Sequence, residues 1–165
     1  MHTTRSLHLI DLENLCGSGF PPKSLIARVW RTYRYGVQTS QEDHYIVGSS
    51  HGFASLAWFI LPAHGIQRVV RSGENGGELA ILAEVDLAHA ATRFDRIVIA
   101  SGDGMFTEAA TTAREHGLHV HQVSGIGKRS SALAAAAHTH SRLRLEPKHP
   151  AALLASARSG LARAA

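Results

Sequence analysis

The chain has 165 residues, 44% of them hydrophobic and 18% charged, which fits one globular domain with a real core and excludes a disordered chain. Lys+Arg number 17 against 13 Asp+Glu, a formal net charge of +4 that favours polyanionic partners, nucleic acid first. A single cysteine, Cys16, points to a reducing, cytoplasmic setting, residues 1–5 show no signal-peptide core, and the longest apolar stretch, residues 53–63, is too short to span a bilayer.

Residues 7–12 read as a first strand. Pro21-Pro22 then opens a helix over 23–35, since proline is tolerated in a first helical turn. Residues 45–48 form a second strand. Residues 53–64 read as a helix, too long for a strand and closed by Gly65. A third strand spans 67–71. A helix follows over 78–92, with apolar Leu79, Leu82, Val85 and Ala90. Residues 96–100 are apolar throughout, as in a strand buried on both faces. A helix over 107–116 is closed by Gly117, a fifth strand spans 118–123, and a last helix is expected over 130–143. From Pro147 the chain is alanine-rich, with helix propensity but little bulk to bury. The expected division is a domain over 1–146 and a loosely held tail over 147–165. Strand and helix alternate five times, the pattern of a parallel sheet covered on both sides.

In open α/β sheets, ligands bind beyond the carboxyl ends of the strands. The first strand ends in "IDLEN", with Asp11, Glu13 and Asn14. The third leads to Glu74, Asn75 and Glu78. The fourth ends in Ser101 and Asp103. Acids from three strand ends thus fall on one edge, where they repel one another. A divalent cation relieves that repulsion, and hard carboxylate oxygens suit Mg2+ or Mn2+. Such a site can bind a phosphodiester and activate water. Glu84 and Asp86 are reserves further down the helix. The direction of Glu13 depends on where the first strand stops.

These motifs together resemble the NYN family, a branch of the PIN-like nuclease superfamily, over residues 7 to about 125. "LIDLENL" resembles the family's opening strand, "GGELAILAEVD" the helix that begins with a ligand acid, and "FDRIVIASGDGMF" the motif S-G-D-x-D-F. The resemblance implies a PIN-like doubly wound, mostly parallel five-stranded sheet of order 3-2-1-4-5. It also implies a site in which Asp11, Glu78 and Asp103 are metal-ligating and catalytic. One departure stands out: the motif's second aspartate is Met105 here, which removes a carboxylate.

The resemblance implies ribonuclease activity on RNA, single-stranded by preference. Asn14 and Ser101 are expected to border the pocket on the substrate side. "RVWRTYRYG" interleaves Arg28, Arg31 and Arg34 with Trp30, Tyr33 and Tyr35, cations for phosphates and rings for bases, against the plainer reading of an amphipathic helix with its arginines in water. Lys128 and Arg129 offer a second backbone contact. The 12 histidines are scattered and read mostly as surface residues. A metal-dependent endoribonuclease is the leading expectation. The alternative is a catalytically weakened domain that binds RNA or protein, marked by Met105. A phosphotransfer enzyme with an aspartyl nucleophile fits less well, because Asp11-Leu12-Glu13 matches only half its pattern. No membrane partner is expected, and a homodimer is left open.

Overall fold

The computed structural model describes residues 4–145; the expected tail over 147–165 lies outside them. Six strands form one sheet, β1 (Ser6–Asp11), β2 (His44–Ser49), β3 (Gln67–Val70), β4 (Arg96–Ala100), β5 (His119–Ser124) and β6 (Thr139–Arg142), in the order β3-β2-β1-β4-β5-β6. Every neighbouring pair is parallel. Seven helices connect them: α1 (Leu12–Cys16), α2 (Lys23–Gly36), α3 (His51–Ala57), α4 (Gly76–Glu84), α5 (Leu87–Ala91), α6 (Thr107–Glu115) and α7 (Ser131–Ala136). The expected order holds across the first five strands, and a sixth is added at the edge.

The sheet separates two cores. Ile10, Val47, Val98 and Val123 pack with Ile26, Val29, Trp30 and Tyr33 of α2 and Phe53 of α3. Leu7, Leu9, Ile97 and Ile99 pack on the other face with Ile81 of α4, Ala110 and Ala113 of α6, and Leu133 of α7. Alternate residues of a strand point to opposite faces. Asp11 and Ser101 therefore continue the Leu7-Leu9 and Ile97-Ile99 rows, onto the face covered by α4 and α6.

Four expected elements differ, each for a local reason. Asp11 ends the first strand, because its Oδ1 accepts the Asn14 N–H at 3.0 Å and caps α1. Leu12 is therefore helical. The helix expected over 53–64 begins at His51, capped by Ser50, and ends at Ala57, whose carbonyl accepts the Ile60 and Leu61 N–H groups in a closing turn; Pro62 biases Leu61 away from helical backbone and keeps the helix from running on to 64. The helix expected over 78–92 breaks at Val85, which is extended, and restarts as α5 under the cap of Asp86, whose Oδ1 accepts the His89 N–H at 2.9 Å. The last helix, expected over 130–143, is only one and a half turns long. Its alanines bury little besides Leu133, whereas Thr139–Arg142 pairs with the otherwise open edge of β5.

Candidate active site

Three strand ends and one helix start meet at the carboxyl edge of β1 and β4. Asp11 is 1% exposed and Ser101 fully buried. The Ser101 hydroxyl donates to Asp11 Oδ2 at 2.8 Å and accepts the Asp103 N–H at 3.0 Å. Asp103 Oδ1 accepts the Met105 N–H at 2.9 Å, capping the 3-10 turn Gly104–Phe106. Asn14 Oδ1 accepts the Gly102 N–H at 2.8 Å, tying the end of β1 to the turn after β4. That turn needs glycine at 102: a Cβ there would collide with the Lys128 carbonyl. The segment after β5 lies across it, with the Ser130 N–H donating to the Gly102 carbonyl at 2.8 Å.

Glu78 arrives through close packing. A Cβ on Gly48 of β2 would overlap the Gly77 carbonyl and Ile81, and one on Gly77 would sit 3.2 Å from the Ser49 backbone. The first turn of α4 therefore rests directly on the end of β2, and Glu78 stands in that turn, half-buried, where the helix start favours a carboxylate.

Glu13, whose direction the strand pattern left open, sits in α1 and reaches sideways to β2. Its Oε1 accepts the Ser50 N–H at 2.6 Å.

The electrostatics follow from this crowding. Burial, and then the charges of Glu78 and Glu13, push the Asp11 carboxyl up to about 7, against hydrogen bonds from Asn14 and Ser101 that favour its ionised form. Burial also raises Glu78, with Asp103 and Glu13 adding to the rise and Lys128 opposing it. Burial, then Asp11 and Glu13, lift the nearby Cys16 thiol to about 12, so it stays a protonated core residue.

Asp11, Glu13, Glu78 and Asp103 thus interact as one anionic cluster, with Lys128 as the cation acting on Glu78. Among the described residues, no three His, Cys, Asp or Glu side chains are grouped closely enough to hold a metal ion as they stand. The donor chemistry itself, several carboxylates and no thiolate or imidazole, fits a hard divalent cation.

The remaining sequence candidates fall elsewhere or take other roles. Ser101, fully buried, spends its hydroxyl on Asp11 and the Asp103 amide and so positions both acids. Arg28 and Arg31 lie on α2, which leads from the carboxyl end of β1 back to the start of β2 and so descends away from the cluster; Arg28 is partly buried and Arg31 exposed. Trp30 and Tyr33 are core residues, 8% and 0% exposed, and Arg34 lies over the Tyr45 ring at 4.7 Å. Trp30 and Tyr33 therefore build the core, while Tyr35, 87% exposed, stands in the last turn of α2, at the end of the helix away from the acid cluster. Lys128 and Arg129 are exposed beside the Gly102 turn. Of the reserves, Asp86 caps α5, and Glu84 accepts a hydrogen bond from Gln67 at the opposite end of the sheet. Met105 is half-buried and lines a 240 Å³ hollow together with Leu82, Val85, Leu87, Glu108 and Ala109.

The described residues contain no helix long and apolar enough to cross a membrane. No curated protein matches the chain. A crystal structure of a protein of unknown function from Vibrio parahaemolyticus is similar in fold, with a TM-score of 0.56 and 16% identity over 87% of this chain and 94% of that one. The family model described as the NYN domain matches residues 9–144, the whole span from Asp11 through Glu78 and Asp103 to the sixth strand, and the chain belongs to this PIN-like nuclease family.

Proposed function

We propose that the protein is a metal-dependent endoribonuclease that hydrolyses phosphodiester bonds of single-stranded RNA at the Asp11–Glu78–Asp103 edge. The observation that carries this reading is the Asp11 carboxyl, 1% exposed at the carboxyl end of β1, held by Ser101 in line with Asp103 and neighboured by Glu78 and Glu13. Such a cluster is unfavourable to the fold by itself, and its repulsion is relieved by a bound cation. Asp11, Glu78 and Asp103 would hold Mg2+ or Mn2+, which when bound polarises a phosphodiester and lowers the pKa of water. The chain's own groups do the rest. Ser101 and Asn14 fix Asp11 and the Gly102 turn, so the acids enter the reaction pre-positioned. Lys128 and Arg129 supply the positive charge that draws a phosphate backbone toward an otherwise anionic edge.

A second reading rests on two observations: no ready-made group of three ligands exists among the described residues, and Met105 stands in place of the family's second aspartate. In that reading the domain binds RNA or protein and has lost most of its activity. The discriminating experiment is single-turnover cleavage of a 5′-labelled single-stranded RNA in Mn2+ by wild type, Asp103→Asn and Glu78→Gln. The nuclease reading expects cleavage by wild type and at least a 100-fold loss in both variants, a size typical of removing a catalytic electrostatic group. Binding of that RNA without cleavage by any of the three favours the second reading.

A further inference from the structure

We infer that Phe20 is a stacking platform for an unpaired base of the RNA, on the β2 side of the acid cluster, across β1 from the turn after β4 on which Lys128 lies. The inference rests on reading that cluster as an RNA site, and it supplies beside the acids the base contact that the buried Trp30 and Tyr33, and Tyr35 at the distant end of α2, do not.

Phe20 is 82% exposed. Isolated exposed apolar residues are ordinary, so placement decides the matter. A Cβ on Gly19 would sit 3.6 Å from Glu13 Oε2, which puts the loop carrying Phe20 against the cluster itself. The ring edge faces Gly52 at the start of α3, where an added Cβ would come within 3.5 Å of it, and the rest of the ring is open to solvent. The loop is held at both ends. The Gly17 and Ser18 N–H groups donate to Asn14 and Glu13 carbonyls, and the Phe20 N–H donates to Ser18 Oγ at 3.1 Å. Pro21-Pro22 then fix the backbone leading into α2. The backbone that presents the ring is therefore preset, and only two side-chain torsions are left for a stacking base to order.

The surroundings select the ligand. Carboxylates of Glu13 and Asp11 repel phosphates on this side, while a neutral ring accepts a base without that penalty. On the other side Lys128 acts on Glu78 and offers a cation to the backbone. A single strand crossing the cluster therefore meets phosphate contact on one side and base contact on the other. Because every base has a π-face, the contact is tolerant of sequence. It also requires a base free of its partner, so it selects single strands over duplex.

The test is fluorescence anisotropy with a labelled ten-nucleotide single-stranded RNA and the same sequence as a duplex, in EDTA and low salt, so that binding is read apart from cleavage. Phe20→Ala should weaken single-strand binding about 5- to 100-fold, the size of one lost base–aromatic stack. Its salt dependence and duplex binding should not change, and Phe20→Trp should retain affinity. Lys128→Ala should instead lower the slope of log affinity against log salt by about 0.7. The inference is overturned if Phe20→Ala binds within twofold of wild type, if single-strand and duplex affinity fall together, or if wild type binds neither RNA. It is also overturned if light scattering shows a wild-type dimer that Phe20→Ala dissociates, since the ring would then be covered by a second copy. Failure of the nuclease reading shows separately, as RNA bound in a Phe20-dependent way but never cleaved in Mn2+.

Discussion

The two ends of β1 carry buried ionisable groups of opposite design. At the amino end, His8 is fully buried yet completely partnered. Its Nδ1 accepts from the Tyr33 hydroxyl at 2.7 Å, its Nε2 donates to Asp43 Oδ2 at 3.2 Å, and its ring stacks on Tyr45 at 4.4 Å. Asp43 in turn accepts from the Ser6 and Ser40 N–H groups and the Ser40 hydroxyl. Burial opposes its charge, but these hydrogen bonds outweigh burial and hold it below the usual carboxylate range. At the carboxyl end, three residues along, Asp11 is buried among other acids. One end closes its polar groups into a satisfied network, and the other leaves like charges facing each other. The first arrangement serves stability. The second is the kind that costs stability and is found at functional sites, in agreement with the rule that ligands bind beyond the carboxyl ends of parallel strands.

Breaking the satisfied end should have the largest effect on folding. His8→Leu leaves the Tyr33 hydroxyl and the Asp43 carboxylate short of a partner in the core, and should cost about 3 kcal/mol, read by denaturant unfolding. RNA binding of the folded fraction should be unchanged, because the network lies at the far edge of the sheet.

Relieving the unsatisfied end should stabilise. Asp11→Asn keeps an acceptor for the Asn14 N–H and a polar partner for Ser101, and removes the buried charge. The sign follows from linkage. A carboxyl whose folded pKa is raised from 3.8 to about 7 binds its proton more tightly folded than unfolded, so stability falls as pH rises from about 4 through 7. Asp11→Asn should therefore gain on the order of 2 kcal/mol at pH 8 and little at pH 4, while abolishing RNA cleavage. His8 works in the other direction. Burial lowers it to about 4, with Asp43 opposing, so the neutral ring's contribution is present above 6.5 and is lost as pH falls toward 4 and below. Between about pH 4 and 6.5 the two slopes oppose and largely cancel, so Asp11→Asn should uncover the rise of stability with pH that His8 contributes, read in a series of thermal melts.

Met105→Asp should have a smaller effect, of the opposite sign to Asp11→Asn. Restoring the family's aspartate would set a carboxylate against Leu82, Val85 and Leu87 and near Glu108, at an expected cost of about 1–2 kcal/mol. If the new carboxylate turns toward Asp103 instead, added Mn2+ should recover that loss in the variant by mass action; a Tm shift with Mn2+ no larger than in wild type would show that it stays in the hollow.

The sequence showed the site's frame because strand ends are local signals. An apolar run closing in Asp11 or in Ser101-Gly102-Asp103 marks where a parallel strand delivers its ligand edge, five alternating units indicate a parallel sheet, and the strand order came from the family resemblance. What it hid depends on tertiary packing. Glu13 could not be oriented before the length of β1 was known, since capping by Asp11 turns it from a strand position into a helical one. Trp30 and Tyr33 have the composition of an RNA-binding stripe, and only their packing against Val47 and Tyr45 shows them to be core. The sixth strand has too little pattern to stand out from the alanine-rich stretch before it. His8 looked like one more scattered histidine, because its partners lie 25 and 35 residues away in the chain.

The most direct test of the central claim, that the carboxyl-end acids are a cation site, is isothermal titration of Mn2+ into metal-free protein at pH 6 and pH 8. The account predicts saturable binding to wild type, tighter at pH 8 and accompanied by proton release at pH 6, because Asp11 with a carboxyl near 7 must lose its proton to become a ligand. Asp11→Asn should bind at least tenfold more weakly and release no proton from this site. Absence of Mn2+ binding at either pH, or equal binding by wild type and Asp11→Asn, would contradict it.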